Sequence, residues 1–211
     1  KSKRSPVIVP CMVTAKTQYS LKNAQEYFEE HLCVGDYYDE GHRVAGEWIG
    51  AGAERLGLSG RIRADEFLRL CENQHPTSGE KLTQRLNTSR TEGDGSAANR
   101  RIFYDFTFSP PKSVSLAAFL GSDERILDAH ARAVRSALRE FERFSATRVR
   151  LSGVRNERLT GNFVTALFQH ETSRSLDPHL HTHCIVFNAT FDPVENRWKA
   201  LENYQLLRAR K

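Results

Sequence analysis

The chain has 211 residues, 39% hydrophobic and 27% charged, with a net charge of +5. This describes an ordinary soluble globular protein long enough to bury a core in one domain. No apolar run reaches the ~20 residues of a membrane helix, and the N-terminus shows no secretion signal. The positive balance favours a polyanionic partner through phosphate neutralisation. Four scattered cysteines, Cys11, Cys33, Cys71 and Cys184, point to a reduced, cytoplasmic setting and not to thiolate zinc.

In chain order, the apolar stretch 7–12, edged by Pro6 and Pro10, predicts a strand. Ser20 predicts the N-cap of a helix to about residue 32, with Leu21, Ala24, Tyr27, Phe28 and Leu32 on its apolar face. Residues 37–60 read as glycine-rich loop with a short helix at 51–56, and 64–72 as a helix. Stretches 82–87 and 102–108 flank Gly93, Asp94, Gly95 and Ser96, which predicts a β-hairpin. Arg90, Arg100 and Arg101 lie around that turn and are candidate DNA contacts. Ser122 is expected to cap a strongly amphipathic helix to about residue 144. Arg132, Arg135, Arg139 and Arg143 form its solvated face. Two further strands are expected at 162–169 and 181–189, with 198–201 pairing with them. Strands mixed with separate helices predict an α+β domain on an antiparallel sheet.

Four of the eight histidines lie between His170 and His183. On a strand, residues i and i+2 share a face, roughly 6.6 Å apart. His181 and His183 are therefore a natural metal pair, and His170 or His179 is the third ligand. Three neutral imidazoles suit several divalent ions and leave positions open for chemistry.

The residues His181-Thr182-His183 resemble the two-histidine motif of HUH endonucleases. The strings from His170 to Arg174 and from Asp177 to His183 resemble MobF-type relaxases, the TraI/TrwC-like group. So do Phe106-Thr107-Phe108-Ser109-Pro110-Pro111-Lys112 and its continuation to Leu116, Gly52 to Gly60, and Trp198 to Asn203. The likeness covers roughly residues 12–205. It implies a palm of about five antiparallel strands flanked by helices, as in relaxases and replication initiators. It also implies site- and strand-specific nicking at an origin of transfer.

The resemblance selects His170, His181 and His183 as ligands of one divalent ion, magnesium or manganese ahead of zinc or nickel. It places the nucleophile at Tyr27, with Phe28 where a second tyrosine often stands. Tyr37 and Tyr38 match a second tyrosine pair, suited to a second transesterification. Asp105 matches the family aspartate, either as base for the phenol or as holder of a ligand imidazole. Lys112 and Arg174 are candidate phosphate contacts.

The expected partners are single-stranded DNA, an origin hairpin, relaxosome accessory proteins and a coupling protein. The expected setting is the donor-cell cytoplasm, with export alongside the DNA. The chain is expected to be a single relaxase domain, residues 1–211, without the family's closing segment. Rival readings are a rolling-circle replication initiator, a DNA-binding module without chemistry, and a metallohydrolase using activated water.

Overall fold

The computed structural model describes residues 12–29, 46–84, 90–91, 97–98, 101–173 and 175–202. The elements in chain order begin with β1 (Met12–Gln18), α1 (Leu21–Tyr27), β2 (Glu47–Ile49), α2 (Ala51–Arg55) and α3 (Ala64–Cys71). They continue with β3 (Arg90–Thr91), β4 (Ala97–Ala98), β5 (Phe103–Ser109), α4 (Lys112–Leu120) and α5 (Glu124–Arg143). The last are β6 (Ala146–Leu151), β7 (Val154–Leu159), β8 (Thr165–Thr172), β9 (Pro178–Phe187), β10 (Thr190–Asp192), β11 (Arg197–Lys199) and β12 (Leu201–Glu202). An antiparallel sheet of five strands, ordered β1-β5-β9-β8-β2, carries the fold. The expected α+β architecture is borne out.

The central strands β5 and β9 are buried on both faces over much of their length, because helices cover both sides. On one face, Ala24 of α1, Phe28 at its C-terminal cap, Ala53 of α2 and Phe67 and Leu70 of α3 pack on Phe103, Phe168, Ile185 and Phe187. On the other, Val134, Leu138 and Phe141 of α5 pack on Tyr104, Phe106, Phe108, Leu167 and Val186. Each of the larger aliphatic and phenylalanine side chains is worth roughly 1.5–3 kcal/mol on burial. The strand period of two assigns alternate residues to the two cores.

Several local expectations shift. The first described strand starts at Met12, where the predicted one ended, and 7–11 lie outside the described residues. Ser20 does cap α1, its hydroxyl accepting from the Asn23 amide at 3.4 Å, and residues 30–32 lie outside the described ones. The long amphipathic helix is capped by Asp123, not Ser122. Ser122 has φ 49° and turns the chain, which frees the Asp123 carboxylate to accept the Arg125 amide at 3.1 Å. β5 pairs with β1 and β9, not with 82–87, so the predicted hairpin does not form as drawn. A shorter ladder of β3 on β4 brackets the same turn, which lies outside the described residues. The stretch 198–201 pairs with β10 and β6 and does not join the main sheet.

Strands β2, β6 and β7 and helix α4 were not expected. The β6–β7 hairpin turns on Ser152-Gly153, both at positive φ (50° and 80°), which fits the twist of a tight hairpin. Its charged residues hid the strand pattern. Helix α4 follows Pro111 and carries apolar residues all round, so its period was faint.

Candidate active site

The odd-numbered residues of β9 face α1. Ile185 and Phe187 fill the core there, and His183 and His181 continue the same row toward the strand's start. His181 is directly opposite His170 of β8, and His183 is opposite Thr107 of β5. The three imidazoles form a near-equilateral triangle. Ring centres are 5.2 Å apart for His170 and His181, 5.3 Å for His170 and His183, and 5.1 Å for His181 and His183.

Three imidazoles holding one ion tetrahedrally, with nitrogens at about 2.0–2.1 Å, place their ring centres about 5 Å apart. The donor set therefore fits a divalent ion. Among the described residues no group of three donors is already gathered on one point, so holding an ion would need the rings to turn about their side-chain torsions.

The tautomers favour this. His183 Nδ1 lies 2.9 Å from Asp105 Oδ2 and 3.0 Å from Oδ1, and a carboxylate only accepts. His181 Nδ1 lies 2.9 Å from the His179 carbonyl oxygen, which also only accepts. Both rings therefore carry the proton on Nδ1 and a lone pair on Nε2, with the far nitrogen oriented by its partner. Burial pushes the His181 imidazole below its usual range, partly offset by that carbonyl, which keeps it neutral and able to ligate. His170 Nε2 is itself buried. His179 stacks on the His181 ring at 4.8 Å, outside the triangle.

Helix α1 delivers Tyr27 to the edge of this cluster. Its phenol donates to Asp105 Oδ2 at 2.5 Å and lies 3.4 Å from His183 Nδ1. Asp105 is only 3% exposed, so its carboxylate is organised by Tyr27, His183 and, at 3.4 Å, the Thr107 hydroxyl. The side chain next to Tyr27 has a different task. Phe28 stacks on Phe67 at 4.2 Å in the core.

Sequence reasoning gave no role to four side chains, Lys16, Thr107, Thr182 and His130. Lys16 of β1, paired in register with Asp105, holds its ammonium 5.6 Å from the centre of the Tyr27 ring. Thr107 reaches His183 Nδ1 at 3.2 Å. Behind the sheet, Thr182 bonds buried His130 of α5 at 2.9 Å, which ties the histidine strand to the long helix. Only the alternation of Lys16 with apolar neighbours gave any hint of these.

The other candidates separate. Lys112 donates to the Pro178 carbonyl at 2.7 Å, and Ser115 accepts from the Leu180 amide at 3.1 Å, so their motif anchors the start of β9. Arg101 lies four residues before Asp105, roughly 13 Å along the chain, beside Trp198 and Lys199. Tyr37, Tyr38, Arg100, Arg174 and the Arg90 side chain lie outside the described residues.

A family model described as TrwC relaxase matches residues 21–211. The chain belongs to the TrwC relaxase family. It is 45% identical over 176 residues to the multifunctional conjugation protein TraI of Escherichia coli, and 44% identical to TraI of strain K12. The alignment covers 81% of this chain and 9% of TraI. Among solved structures, the conjugative relaxase TrwC in complex with oriT DNA, copper-bound, superposes with TM-score 0.77 at 36% identity. That match covers 94% of this chain and 64% of the TrwC chain. A metal-bound TrwC complex with oriT DNA matches at 0.76. TrwC with a 27-mer comprising the recognition hairpin and cleavage site matches at 0.74. The relaxase family thus includes metal-bound members, in keeping with the histidine triangle. Among the described residues no helix of this relaxase-family chain is long and apolar enough to cross a membrane.

Proposed function

We propose that this chain nicks one DNA strand at an origin of transfer by transesterification and stays attached to the 5′ end through Tyr27. One observation carries the reading: the Tyr27 hydroxyl, the Asp105 carboxylate and the His170–His181–His183 triangle share one face of the sheet. TraI and the TrwC–oriT complexes support the same chemistry.

The Tyr27 oxygen attacks the scissile phosphorus, and its proton passes to Asp105 Oδ2 along the existing hydrogen bond. The bond from phosphorus to the 3′ oxygen breaks, and that oxygen takes a proton from solvent, giving a free 3′ hydroxyl and a 5′-phosphotyrosine. A phenol has a pKa near 10, so it leaves more readily than an alkoxide and the step reverses without an energy source. Lys16 stabilises negative charge on the phenol from the ring side. A divalent ion on the three histidines, magnesium or manganese, would supply polarisation of the scissile phosphate. His183 would link that ion to Asp105, and His181 is held in register by the His179 carbonyl. Tyr37 or Tyr38 serves the closing transesterification, and Lys112 and Arg174 contact phosphates. The partners are single-stranded DNA, an origin hairpin and the accessory and coupling proteins of transfer, in the cytoplasm.

The test is Tyr27→Phe with pooled single-stranded origin DNA and manganese, read by mass spectrometry of the protein. Wild type should gain a phosphodiester-linked nucleotide on Tyr27, and the variant should lose both adduct and cleavage while binding metal and DNA. An adduct on another tyrosine moves the nucleophile. A free 5′ phosphate without adduct means activated water and overturns the reading.

A further inference from the structure

His179 continues the row of His181 and His183, two positions nearer the start of β9. Its half-buried ring stacks on the His181 ring at 4.8 Å, the two planes 26° apart. Strand register sets the order along this row. Asp105 is opposite Ile185, Thr107 is opposite His183, and His170 is opposite His181. Tyr27, bonded to Asp105 and beside His183, therefore stands at one end of the row. His179 stands at the other end, roughly 13 Å along the strand from His183.

The His179 ring is not needed to hold its neighbour. His181 Nδ1 is oriented by the His179 carbonyl, which any side chain at that position would leave in place. Yet the backbone around His179 is pinned on both sides. Lys112 Nζ donates to the Pro178 carbonyl at 2.7 Å, and the Leu180 amide donates to Ser115 Oγ at 3.1 Å. Both anchors belong to α4. A part-exposed aromatic ring is thus held firmly at the rim of the site.

The direction of the chemistry says what meets that ring. In phosphoryl transfer the attacking and leaving oxygens lie roughly in line across phosphorus. Attack by Tyr27 from the Asp105 end sends the leaving 3′ oxygen, with the nucleotide that carries it, toward the opposite end of the row. Bases of an unpaired strand are held by stacking on aromatic rings, because every base has a flat face. His179 on His181 is already a stack of two rings, and a base would extend it by one.

We propose that His179 stacks on the base of the nucleotide carrying the leaving 3′ oxygen and holds that end of the strand in line with Tyr27. It binds substrate and is not a ligand of the ion. The inference rests on the nicking reading above and names the nucleotide that this side chain contacts.

The test uses a Tyr27→Phe background, which cannot form the adduct, so that affinity is read alone. Wild type first maps the cut on an oligonucleotide drawn from the pooled origin DNA. Three versions of that oligonucleotide are then compared by fluorescence anisotropy in manganese. One is intact, one is abasic just 5′ of the cut, and one is abasic just 3′ of it. The proteins are Tyr27→Phe alone and with His179→Ala or His179→Phe, each checked by thermal melting. With His179 in place, loss of the 5′ base should weaken binding about tenfold, within the range for one stacked base. His179→Ala should lose about tenfold on the intact strand and little more on the 5′-abasic one. His179→Phe, which keeps a flat ring, should stay within about threefold of His179 on the intact strand. The 3′-abasic strand should lose equally in all three proteins. An equal effect of the 5′-abasic change in every protein overturns the proposal. So does a fall in calorimetric manganese affinity for His179→Ala as large as that for His170→Ala. If wild type forms the Tyr27 adduct and the comparison still fails, only the stacking inference falls. Wild type that cuts no member of the pool overturns the nicking reading and this inference with it.

Discussion

Tyr27 and Asp105 lie 78 positions apart in the chain, and the phenol of one donates to the carboxylate of the other at 2.5 Å. The same carboxylate accepts from His183 Nδ1 at 2.9 Å. One buried carboxylate thus touches both the proposed nucleophile and a ring proposed as a metal ligand. A base role and an orienting role are compatible in this geometry, and substitution can separate their sizes.

Asp105→Asn keeps the shape and removes the negative charge. Its amide oxygen can still accept from His183, but it takes no proton from Tyr27. Metal affinity should fall about tenfold, the low end for a ligand's orienting partner. Cleavage at saturating metal should fall about 10²-fold or more. Full recovery of cleavage on adding excess manganese would leave Asp105 with the orienting role alone.

The histidines should rank by geometry. His170→Ala, His181→Ala and His183→Ala each remove a corner of the triangle and should cost the ion most of its affinity by calorimetry. His179→Ala deletes a ring stacked outside the triangle but leaves the carbonyl that holds His181 Nδ1. It should change metal affinity by only a few-fold. A larger loss for His179→Ala than for His170→Ala would reverse the assignment of the third ligand.

Gly52 opens the motif that ends at Gly60, and its place is structural. A Cβ there would meet the Phe163 carbonyl oxygen at 2.5 Å and carbon at 2.6 Å, backbone atoms that cannot rotate away. The Gly52 amide also donates to that oxygen at 3.0 Å. Gly52→Ala should therefore cost about 1–3 kcal/mol, read as a shifted denaturant midpoint. Unaltered stability would show that α2 moves away from β8 freely.

Glu195 sets an acid limit. Bonds from Lys199 and then Arg197 hold its carboxyl at about 2, against 4.5 ordinarily. A depressed folded value means the contribution is complete above about pH 4.5 and is lost as pH falls toward 2. Between those limits, acid unfolding of Glu195→Gln should be less steep than that of wild type. Parallel curves would mean that solvent screens the pair fully.

The sequence by itself determined the α+β class, the cap of α1, the apolar faces of α1 and α5, and the shared strand face of His181 and His183. Those features depend on spacing within a few residues, where the periods of helix and strand act directly. It also carried, through ordered motifs, the relaxase likeness that the family match later established. Periodicity alone left Tyr27 a plain core aromatic and left His170 and His179 as rival ligands. Tertiary structure supplies the placements on which the proposed roles rest. The register of β8 on β9 sets His170 opposite His181, and α1 turns Tyr27 toward Asp105 while Phe28 takes the core. The contacts of Lys16 and His130 likewise come from strand order and helix packing. Most of these contacts join residues far apart in the chain, and a local pattern carries no record of which distant strand arrives alongside.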